Sequence, residues 1–263
     1  MQPNTYDNLN AAEQDHWWFR HRRALVREFL RDLERRPGGL ALDIGSGTGG
    51  NLPLLAESFE RVVGLELSER ALDLCAAKNP EASLLRGDAN DLARTFAPAS
   101  VDLASLFNVL YHSWVEDDLE LLRSAHRILR PGGSLIVCEA AFESLRRQRD
   151  RLDHGARRYR LAPLVAKIKA AGFTIERATY FNAIPFPLAW FLARLDHWSG
   201  TYARPLDETQ GDSDLDVSNG WIQRLAYAVN GLERGWMRLG GRLPFGINIL
   251  IVARKNGADQ VRT

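Results

Sequence analysis

The feature that most constrains the fold is a short apolar run that passes directly into a cluster of glycines. Residues 40–44 read LALDI, which is typical of a buried strand, and residues 45–50 hold four glycines in six positions. Glycine costs backbone entropy, so four together indicate that another group approaches the backbone closely. An apolar pattern then resumes at Leu52. The stretch predicts a strand ending near Asp43, a tight turn and a helix.

Strand and helix patterns keep alternating after this turn. Alternation of this kind is typical of a doubly wound α/β fold, in which helices cover both faces of a largely parallel sheet. Ligands of such sheets bind at the carboxyl ends of the strands. The further predicted strands are 61–67, 82–89, 101–112, 134–142 and 174–181, and the helices between them include 68–78, 116–129 and 162–173.

Composition narrows the class of protein. A hydrophobic fraction of 45% and a charged fraction of 25% are ordinary for a globular protein. The net charge of +1 gives no global field for nucleic acid, so we expect no nucleic-acid partner. With only two cysteines, Cys75 and Cys138, and no cluster of metal-ligand spacing, we expect no disulfide framework and no metal. We expect a cytoplasmic protein, because no signal peptide or membrane span is evident.

The glycine cluster fits two cofactor patterns. It satisfies the dinucleotide motif G-x-G-x-x-G, and with Asp43 it also satisfies acid-x-G-x-G-x-G. The acid would repel a pyrophosphate but suits an ammonium group. Further acids, Glu66 and Asp88, follow two later strands, and residues 1–37 precede the first strand, where a dinucleotide domain often begins. These features favour the second pattern and leave an NAD-dependent oxidoreductase as the alternative.

Five motifs in this order resemble those of class I S-adenosylmethionine-dependent methyltransferases, over residues 12–180 and again near the C-terminus. The resemblance implies a Rossmann-like seven-stranded sheet of order 3-2-1-4-5-7-6 with an antiparallel last strand, for which residues 246–255 are the candidate. It also implies S-adenosylmethionine as cofactor and S-adenosylhomocysteine as product. A non-catalytic module that keeps the cofactor pocket is a further alternative.

The resemblance assigns roles within the cofactor site. Glu66 matches the acid that holds the ribose hydroxyls, and Asp88 and Ala89 match the pair beside the adenine. Phe107 and Asn108 would face the methionine part. The complete predicted cofactor set is Asp43, Gly45, Ser46, Gly47, Gly49, Glu66, Leu67, Asp88, Ala89, Phe107, Asn108, Phe19 and Arg20.

The N-terminal segment 13–23 resembles one found in bacterial methyltransferases of glycan, lipid and secondary-metabolite pathways. There it closes over the cofactor. The aromatic residues 17–19 would shield the sulfonium from water, and Arg20 or Arg23 would meet the methionine carboxylate. The alternative is that these aromatic residues only hold the first helix on the sheet.

Two regions are predicted to contact the methyl acceptor. Residues 146–160 carry seven arginines, which suit phosphate or carboxylate unless they form a solvated charge run. Residues 181–245 hold two amphipathic, aromatic-rich stretches, 182–198 and 219–243, predicted to be helices, with a polar loop at 203–220. We expect the two stretches to form a lid, a surface that touches a membrane, or helices whose aromatic residues only pack against one another. The predicted acceptor-binding residues are Trp17, Trp18, Arg157, Arg158, Tyr159, Phe186 and Trp190.

The predicted organisation is therefore an N-terminal helical cap (1–37), a core (38–180 with 246–256) and a helical insertion (181–245). Methyl transfer needs alignment and exclusion of water, and an oxygen or nitrogen nucleophile must also lose a proton. His112 is the first candidate for that role, with Tyr111 and His16 next. The predicted acceptor is a small amphiphile methylated at O, N or C, such as a prenyl, polyketide-like, or lipid- or glycan-linked intermediate. The oligomeric state stays open.

Overall fold

The computed structural model describes residues 3–31, 33, 37–203 and 219–257, and its centre is one seven-stranded sheet. Its strands are β1 Leu40–Ile44, β2 Arg61–Glu66, β3 Ser83–Arg86, β4 Val101–Phe107, β5 Leu129–Ala140, β6 Phe173–Phe181 and β7 Asn248–Lys255. Their order is β3-β2-β1-β4-β5-β7-β6. β7 runs antiparallel to both of its neighbours, and the other pairs are parallel. The predicted order and the antiparallel last strand are confirmed.

Helices cover both faces of this sheet. Their bounds are α1 Pro3–Ala12, α2 Trp17–Arg31, α3 Leu52–Ala56, α4 Glu69–Lys78, α5 Leu92–Thr95, α6 Asp118–Ile128, α7 Gln148–Leu152, α8 Leu161–Ala170, α9 Phe186–Trp198, α10 Gly220–Val229 and α11 Gly231–Arg238. α6 and α8 contribute to the core on one face, whereas α2, α3 and α11 contribute to the core on the other. Within the described ranges, no helix combines the length and the apolar character that a membrane crossing requires.

Side-chain alternation explains how β1 serves both cores. All five of its residues are buried. Leu42 and Ile44 belong to the core beneath α6 and α8, whereas Ala41 belongs to the core beneath α2. Successive side chains of a strand point to opposite faces, so a strand covered on both sides reads as a continuous apolar run. The LALDI stretch has that character.

The first long helix starts earlier than the sequence pattern indicates. The apolar residues Leu25, Val26, Phe29 and Leu30 share one helical face and predict a helix over residues 23–36. These four residues are buried, but α2 begins at Trp17. The side chain of His16 accepts a hydrogen bond from the backbone N–H of Trp18 at 3.3 Å. Such a bond satisfies one of the free amides at a helix start. The aromatic residues therefore lie in the first turn of α2.

The described parts of the insertion between β6 and β7 contain three α-helices where the sequence predicts two. The amphipathic stretch 219–243 divides at Asn230, which both ends α10 and precedes α11. The predicted loop at 203–220 lies mostly outside the described residues. Because Phe181 of β6 pairs with Asn248 of β7, the insertion starts and ends at neighbouring positions.

Candidate functional site

A cavity of about 480 Å³ lies at the carboxyl ends of β1, β2 and β4. The strand order reverses between β1 and β4, which is where ligands of doubly wound sheets bind. Its size falls within the range of small-molecule sites. The wall includes sixteen of the residues predicted from the sequence, namely His16, Trp17, Trp18, Phe19, Gly45, Ser46, Gly47, Glu66, Leu67, Asp88, Ala89, Phe107, Asn108, Tyr111, His112 and Arg158.

The glycines of the turn after β1 serve two purposes. Gly45 and Gly47 line the cavity in the left-handed backbone region, with φ of +68° and +55°. A Cβ atom on Gly45 would lie 2.7 Å from the Val109 side chain. Gly49 is outside the cavity wall, and its Cβ would lie 2.3 Å from the sulfur of Cys75 on α4. The first two glycines give room beside the cavity, and Gly49 gives room for helix packing.

Glu66, at the end of β2, is held in the cavity wall by two backbone amides. One carboxylate oxygen accepts from the backbone N–H of Gly47 at 2.9 Å, and the other accepts from that of Ser68 at 2.9 Å. These bonds fix the plane of the carboxylate while leaving each oxygen further lone pairs. Glu66 therefore lines the cavity as a pair of preoriented acceptors, which suits a ligand with two adjacent hydroxyls.

The next acid, Asp88, bounds the same part of the cavity. Its Oδ1 accepts from the backbone N–H of Asn90 at 2.8 Å and from the side-chain amide at 2.9 Å. Ala89 and Leu67 contribute apolar wall beside it. The group offers a flat, half-apolar surface with one carboxylate, in keeping with the predicted place of an adenine ring.

Asp43 lies beneath the glycine turn and does not line the cavity. Its Oδ1 accepts from the hydroxyl of Ser105 at 2.7 Å, and its buried Oδ2 has no hydrogen-bond partner. Burial raises the pKa of Asp43 to about 7, although the Ser105 hydrogen bond opposes the shift. The carboxylate of Asp43 therefore does not reach a ligand ammonium directly, because it lies one layer below the cavity wall.

Arg22 is the functional residue that the sequence reasoning missed. The predicted carboxylate partners were Arg20 and Arg23, but Arg22 is the arginine that lines the cavity, where it is almost fully buried. Its guanidinium donates to the side-chain oxygen of Asn108 at 3.0 Å and to that of Asn51 at 3.2 Å, and its Nε is buried without a partner. A buried donor of this kind suits an anionic group of a ligand.

Helical geometry explains why the neighbouring arginines were the wrong choices for contact with the cavity. The guanidinium of Arg20 lies 4.5 Å from the centre of the Tyr227 ring, against α10. Arg23 donates to the backbone carbonyls of Glu13 and Gln14. Neither lines the cavity. In the sequence, Arg22 could have been found by its spacing of three from Phe19 and from Leu25, which places it on the buried stripe of α2.

Aromatic residues of α2 form the roof of the cavity. The indole N–H of Trp18 donates to the side chain of Asn248 on β7 at 2.8 Å. The backbone N–H of Trp17 donates to Gln223 on α10 at 2.9 Å. Phe19 is buried, with its ring edge-on to that of Trp18. The roof is therefore tied both to the sheet and to the insertion.

His112 lies in the wall just beyond β4, in a fixed tautomer. Its Nδ1 is 2.9 Å from the backbone carbonyl of Asp153. A carbonyl only accepts, so Nδ1 carries the hydrogen and Nε2 keeps a lone pair. The ring stacks on Trp114 with centres 4.0 Å apart. Burial lowers the pKa of His112 to about 3, so the imidazole is neutral near pH 7.

The other two candidates for proton transfer are also placed in the wall. The ring of Tyr111 lies 4.0 Å from that of His112, and burial raises its pKa well above the ordinary value. The phenol therefore stays protonated and can only donate or accept a hydrogen bond. His16 uses Nδ1 at the start of α2, as described above. Of the three, His112 presents an imidazole lone pair to the cavity.

Glu139, on β5, is a second residue that the sequence reasoning did not single out. Its Oε1 accepts from the backbone N–H groups of Val109 and Leu110 at 3.0 and 2.8 Å, and it is fully buried. Burial raises its pKa to about 8. The bonds hold the chain just after Asn108, which has a φ of +59°. Glu139 thus fixes the turn that carries the end of β4 into the cavity wall.

The arginine-rich segment is largely paired with acids. Arg158 donates to both oxygens of Asp150 at 2.7 and 3.0 Å, and to the carbonyl of Ala141. Arg147 pairs with Asp196 of α9 at 2.7 Å, and Arg149 with Asp153 at 3.2 Å. All three arginines line the cavity. Their charges are therefore met by carboxylates before any ligand is considered.

Four of the residues predicted to bind the acceptor lie outside the wall. Arg157 donates to the carbonyl of Val115, and the Tyr159 hydroxyl is buried against Leu110 and Asp118. The two predicted aromatic residues of the insertion, Phe186 and Trp190, do not line the cavity either. Phe186 packs on Phe142 and Phe245, and Trp190 lies beneath Arg194. α9 instead contributes Pro185, Leu188, Ala189 and Leu192 to the wall.

No metal centre is present among the residues that the structure describes, since they contain no group of three histidine, cysteine or acidic side chains with suitable geometry.

Comparison with known proteins gives matches centred on this site. The sequence profile of a family described as a methyltransferase domain matches residues 42–137. A protein named as a probable S-adenosylmethionine-dependent methyltransferase from Mycolicibacterium smegmatis is 29% identical over 167 residues, which are 63% of this chain and 62% of that protein. A demethylmenaquinone methyltransferase from Bacillus cereus is 29% identical over 144 residues, 52% of this chain and 57% of that protein.

The matched regions span less than two thirds of each of these relatives. Among solved structures, the chain is similar to one from the complex between the Haloferax volcanii Trm112 methyltransferase activator and a candidate methyltransferase. The TM-score is 0.62 at 18% identity, with 96% of this chain and 95% of that chain covered. A likeness at this identity concerns the fold, which therefore extends through the insertion as well as the sheet.

Proposed function

The chain belongs to the class I S-adenosylmethionine-dependent methyltransferases, and from this premise we propose that it transfers the cofactor's methyl group to a small amphiphilic acceptor. The observation that carries the proposal is one continuous cavity. It runs from the acceptors of Glu66 to the neutral imidazole of His112 and the apolar side of α9. A single cavity with these two ends can hold a cofactor and a second molecule side by side.

The cofactor half fits the donor set of S-adenosylmethionine. Glu66 offers two oriented oxygens for the ribose hydroxyls, and Asp88 with Ala89 bounds the space for the adenine. The guanidinium of Arg22, which lines this half of the cavity and is held by Asn51 and Asn108, suits the methionine carboxylate. A bound cofactor supplies an already activated methyl group on a sulfonium. What remains for the chain is to align the acceptor with it and to exclude water.

The aromatic roof supports the exclusion of water. The rings of Trp18, Phe19 and Phe107 lie within 4.7 to 5.3 Å of the Arg22 guanidinium. Cation–π contacts of this kind hold the rings and the cation as one layer. Because Trp18 is also bonded to Asn248, the layer is fixed to the sheet and does not depend on a loop.

The acceptor half combines apolar wall with paired charges. Trp114, Leu145 and the Leu188 and Leu192 side chains of α9 are apolar, whereas Arg147 and Arg149 carry carboxylate partners. An acceptor with an apolar body and a polar or anionic group matches this mixture. An anionic group of the acceptor would compete with Asp153 or Asp196 for these arginines. We therefore expect an acceptor to bind only when its apolar body and its anionic group are both recognised.

His112 is the residue that we propose meets the nucleophile. Its Nε2 lone pair can accept a hydrogen bond from an acceptor hydroxyl or amine and so orient an oxygen or nitrogen lone pair towards the methyl group. Its low pKa makes it a weak proton carrier, so its part is to position the nucleophile and to receive the proton as transfer proceeds. For an acceptor methylated at carbon, this contact is not needed.

We propose a cytoplasmic location, which the thiols support. Cys75 and Cys138 are both free and buried. Free cysteines without a disulfide framework support the reducing cytoplasm that the sequence predicts.

Product identification tests the proposed function. The protein is incubated with cofactor carrying a radiolabelled methyl group and with fractionated cell extract, and labelled products are identified by mass spectrometry. We expect label in a small amphiphile, with less transfer by His112→Gln at unchanged cofactor affinity. Label confined to protein or nucleic acid would reject the small-molecule acceptor. Calorimetric binding of NAD in place of S-adenosylhomocysteine would favour the oxidoreductase, and cofactor binding without any transfer would favour a non-catalytic module.

A further inference from the structure

The helices of the insertion expose an unusual amount of apolar surface. Trp198 on α9, Trp221 on α10, Leu232 on α11 and Leu239 directly after α11 are 87%, 67%, 73% and 85% exposed. Single exposed apolar residues need no explanation, but a concentration of them marks an interaction site. We call the following set the apolar rim: Leu188, Phe191, Leu195, Trp198, Trp221, Ile222, Leu225, Leu232, Trp236 and Leu239.

The apolar rim has the periodicity of helix stripes. On α9, Leu188, Phe191, Leu195 and Trp198 follow one another at spacings of three, four and three residues. The α11 members follow at spacings of four and three. Residues at these spacings share one side of a helix. Each stripe is therefore an organised apolar side of an amphipathic helix that no other described part of the chain covers.

The stripes lie around the mouth of the cavity. Leu188 belongs both to the cavity wall and to the exposed stripe of α9. α10 starts beside the same cavity, since Gln223 accepts from the N–H of Trp17 in the roof. α11 starts beside α9, since Glu233 accepts from the N–H of Ile184 at 2.9 Å. Apolar surface thus continues from the outside of the insertion into the acceptor half.

The charges beside the apolar rim are positive. In the described parts of the insertion, the charged residues that are exposed are Arg194, Arg224, Arg238 and Arg242, with His197 beside them. The acids there are little exposed: Asp196 pairs with Arg147, and Glu233 accepts from the N–H of Ile184. Arg238 pairs with Glu28 of α2, so the arginines that remain for an outside partner are Arg194, Arg224 and Arg242. The acids of residues 204–218 lie outside the described residues. Tryptophan and leucine interleaved with arginine are typical of helices that lie in a membrane interface.

We propose that the insertion docks on an anionic lipid surface and that the acceptor enters the cavity from the lipid along α9. Rim residues on the three helices enter the headgroup region, and Arg194, Arg224 and Arg242 meet lipid phosphates. Leu188, shared by rim and cavity, marks the path by which the apolar body of an acceptor passes inward. The inference rests on the proposed function for its acceptor, but the docking itself does not.

A second copy of this chain is the other partner that such a surface could cover. A two-fold symmetric contact brings the same patch of each copy face to face. It would set Arg194, Arg224 and Arg242 of one copy against the same three of the other. Because the described parts of the insertion hold no exposed acid to offset them, this repulsion disfavours a homodimer, whereas an anionic lipid surface relieves it.

Flotation of the full chain with lipid vesicles tests the docking. The vesicles contain either phosphatidylcholine alone or equal parts of phosphatidylcholine and phosphatidylglycerol. We expect binding to the mixed vesicles, and at least about tenfold weaker binding for the triple variant Trp198→Ser, Trp221→Ser, Trp236→Ser. Leu239→Ser should weaken binding, whereas the control Leu85→Ser, an exposed leucine on the remote β3, should not.

Charge-reversal variants are tested in the same flotation assay. Arg224→Glu with Arg242→Glu should weaken binding to the mixed vesicles, and the matched control Arg94→Glu with Arg123→Glu should leave it unchanged. Each variant is first checked for calorimetric binding of S-adenosylhomocysteine without vesicles. Loss of that binding in the wild type would reject the proposed function while leaving the docking open to measurement.

Three results would overturn the docking. One is the absence of wild-type binding to either kind of vesicle. Another is vesicle binding that the tryptophan variant and the arginine variant both retain in full. The third is a dimer in sedimentation equilibrium that the tryptophan variant dissociates, which would assign the apolar rim to a second copy of the chain.

Discussion

The two halves of the cavity are built in different ways. In the cofactor half, Glu66 and the glycine turn use backbone amides that lie close by in the sheet. In the acceptor half, Arg147 and Asp196 come from elements far apart in the sequence and neutralise each other. A charged residue of the cofactor half is available to a ligand, whereas a charged residue of the acceptor half already pairs with another side chain. A charged residue type therefore indicates ligand binding in the cofactor half and a structural ion pair in the acceptor half.

The largest effect that would test this comparison is on stability, at Arg158. Its ion pair with Asp150 is almost fully buried, so Arg158→Ala leaves a buried carboxylate without its main partner. We expect a loss of about 3–5 kcal/mol in the free energy of unfolding, measured by urea denaturation. The exposed pair of Arg94 and Asp91 is the control, and Arg94→Ala should cost less than about 1 kcal/mol. A fully stable Arg158→Ala that fails only in acceptor binding would make this residue a ligand clamp after all.

The next effect is on cofactor affinity, at Arg22. If its guanidinium meets the methionine carboxylate, Arg22→Met removes a buried charged contact worth about 2–5 kcal/mol, which is a loss of roughly 30-fold or more in affinity. Calorimetric titration with S-adenosylhomocysteine measures it, and circular dichroism checks the fold. Arg20→Met, on the same helix but against Tyr227, should bind normally. Equal losses in the two variants would contradict the assignment.

A smaller effect is expected at Glu66. Glu66→Gln removes the charge and replaces one acceptor oxygen with a donor, so a ribose hydroxyl loses a charged hydrogen bond worth about 1.5–3 kcal/mol. The dissociation constant should rise roughly 10- to 150-fold. Glu69→Gln, three residues along and paired only with an exposed arginine, is the control. An unchanged constant for Glu66→Gln would break the view that the cofactor half binds through preoriented acceptors.

The smallest effect, taken per pH unit, is on the pH dependence of stability, at His112. The folded-state pKa of about 3 lies below the ordinary value of 6.5, so the unfolded chain binds the proton first. Stability from this group is present above about pH 6.5 and is lost as the pH falls towards 3, by at most about 1.4 kcal/mol per pH unit. Denaturation of wild type and His112→Gln at several pH values should show a shallower slope for the variant. Parallel slopes would show that the imidazole is not held neutral by burial.

The fold was predictable because its signals are local and repeated. Each strand is a short apolar run beside a helix pattern, and the connections between parallel strands follow one hand. Boundaries were less predictable where side chains decide them. α2 starts at Trp17 because His16 satisfies an amide there, and the stretch 219–243 divides at Asn230. Neither the early start of α2 nor the break at Asn230 alters the spacing of apolar residues from which the helices were predicted.

The candidate site was predictable where a residue is placed by the end of a strand. Glu66, Asp88 and Asn108 follow β2, β3 and β4, and all line the cavity. It was less predictable on helices, where adjacent arginines point in different directions. Arg22 differs from Arg20 and Arg23 only in its register on α2, where it shares the buried stripe of the helix. The acceptor set was least predictable, because the pairing of Arg157 with Val115 and Asp118 depends on contacts across the fold.

The pairing of Phe181 with Asn248 has a consequence for how such chains diversify. The insertion leaves the sheet and returns to it at two adjacent positions of one antiparallel pair. A segment with neighbouring ends can be lengthened at a cost that grows only slowly with its length, and it can be exchanged for another without moving a strand. The connection from β6 to β7 is therefore a position at which one inserted segment can replace another. One cofactor-binding sheet can carry different insertions there, each bringing its own choice of acceptor and its own surroundings.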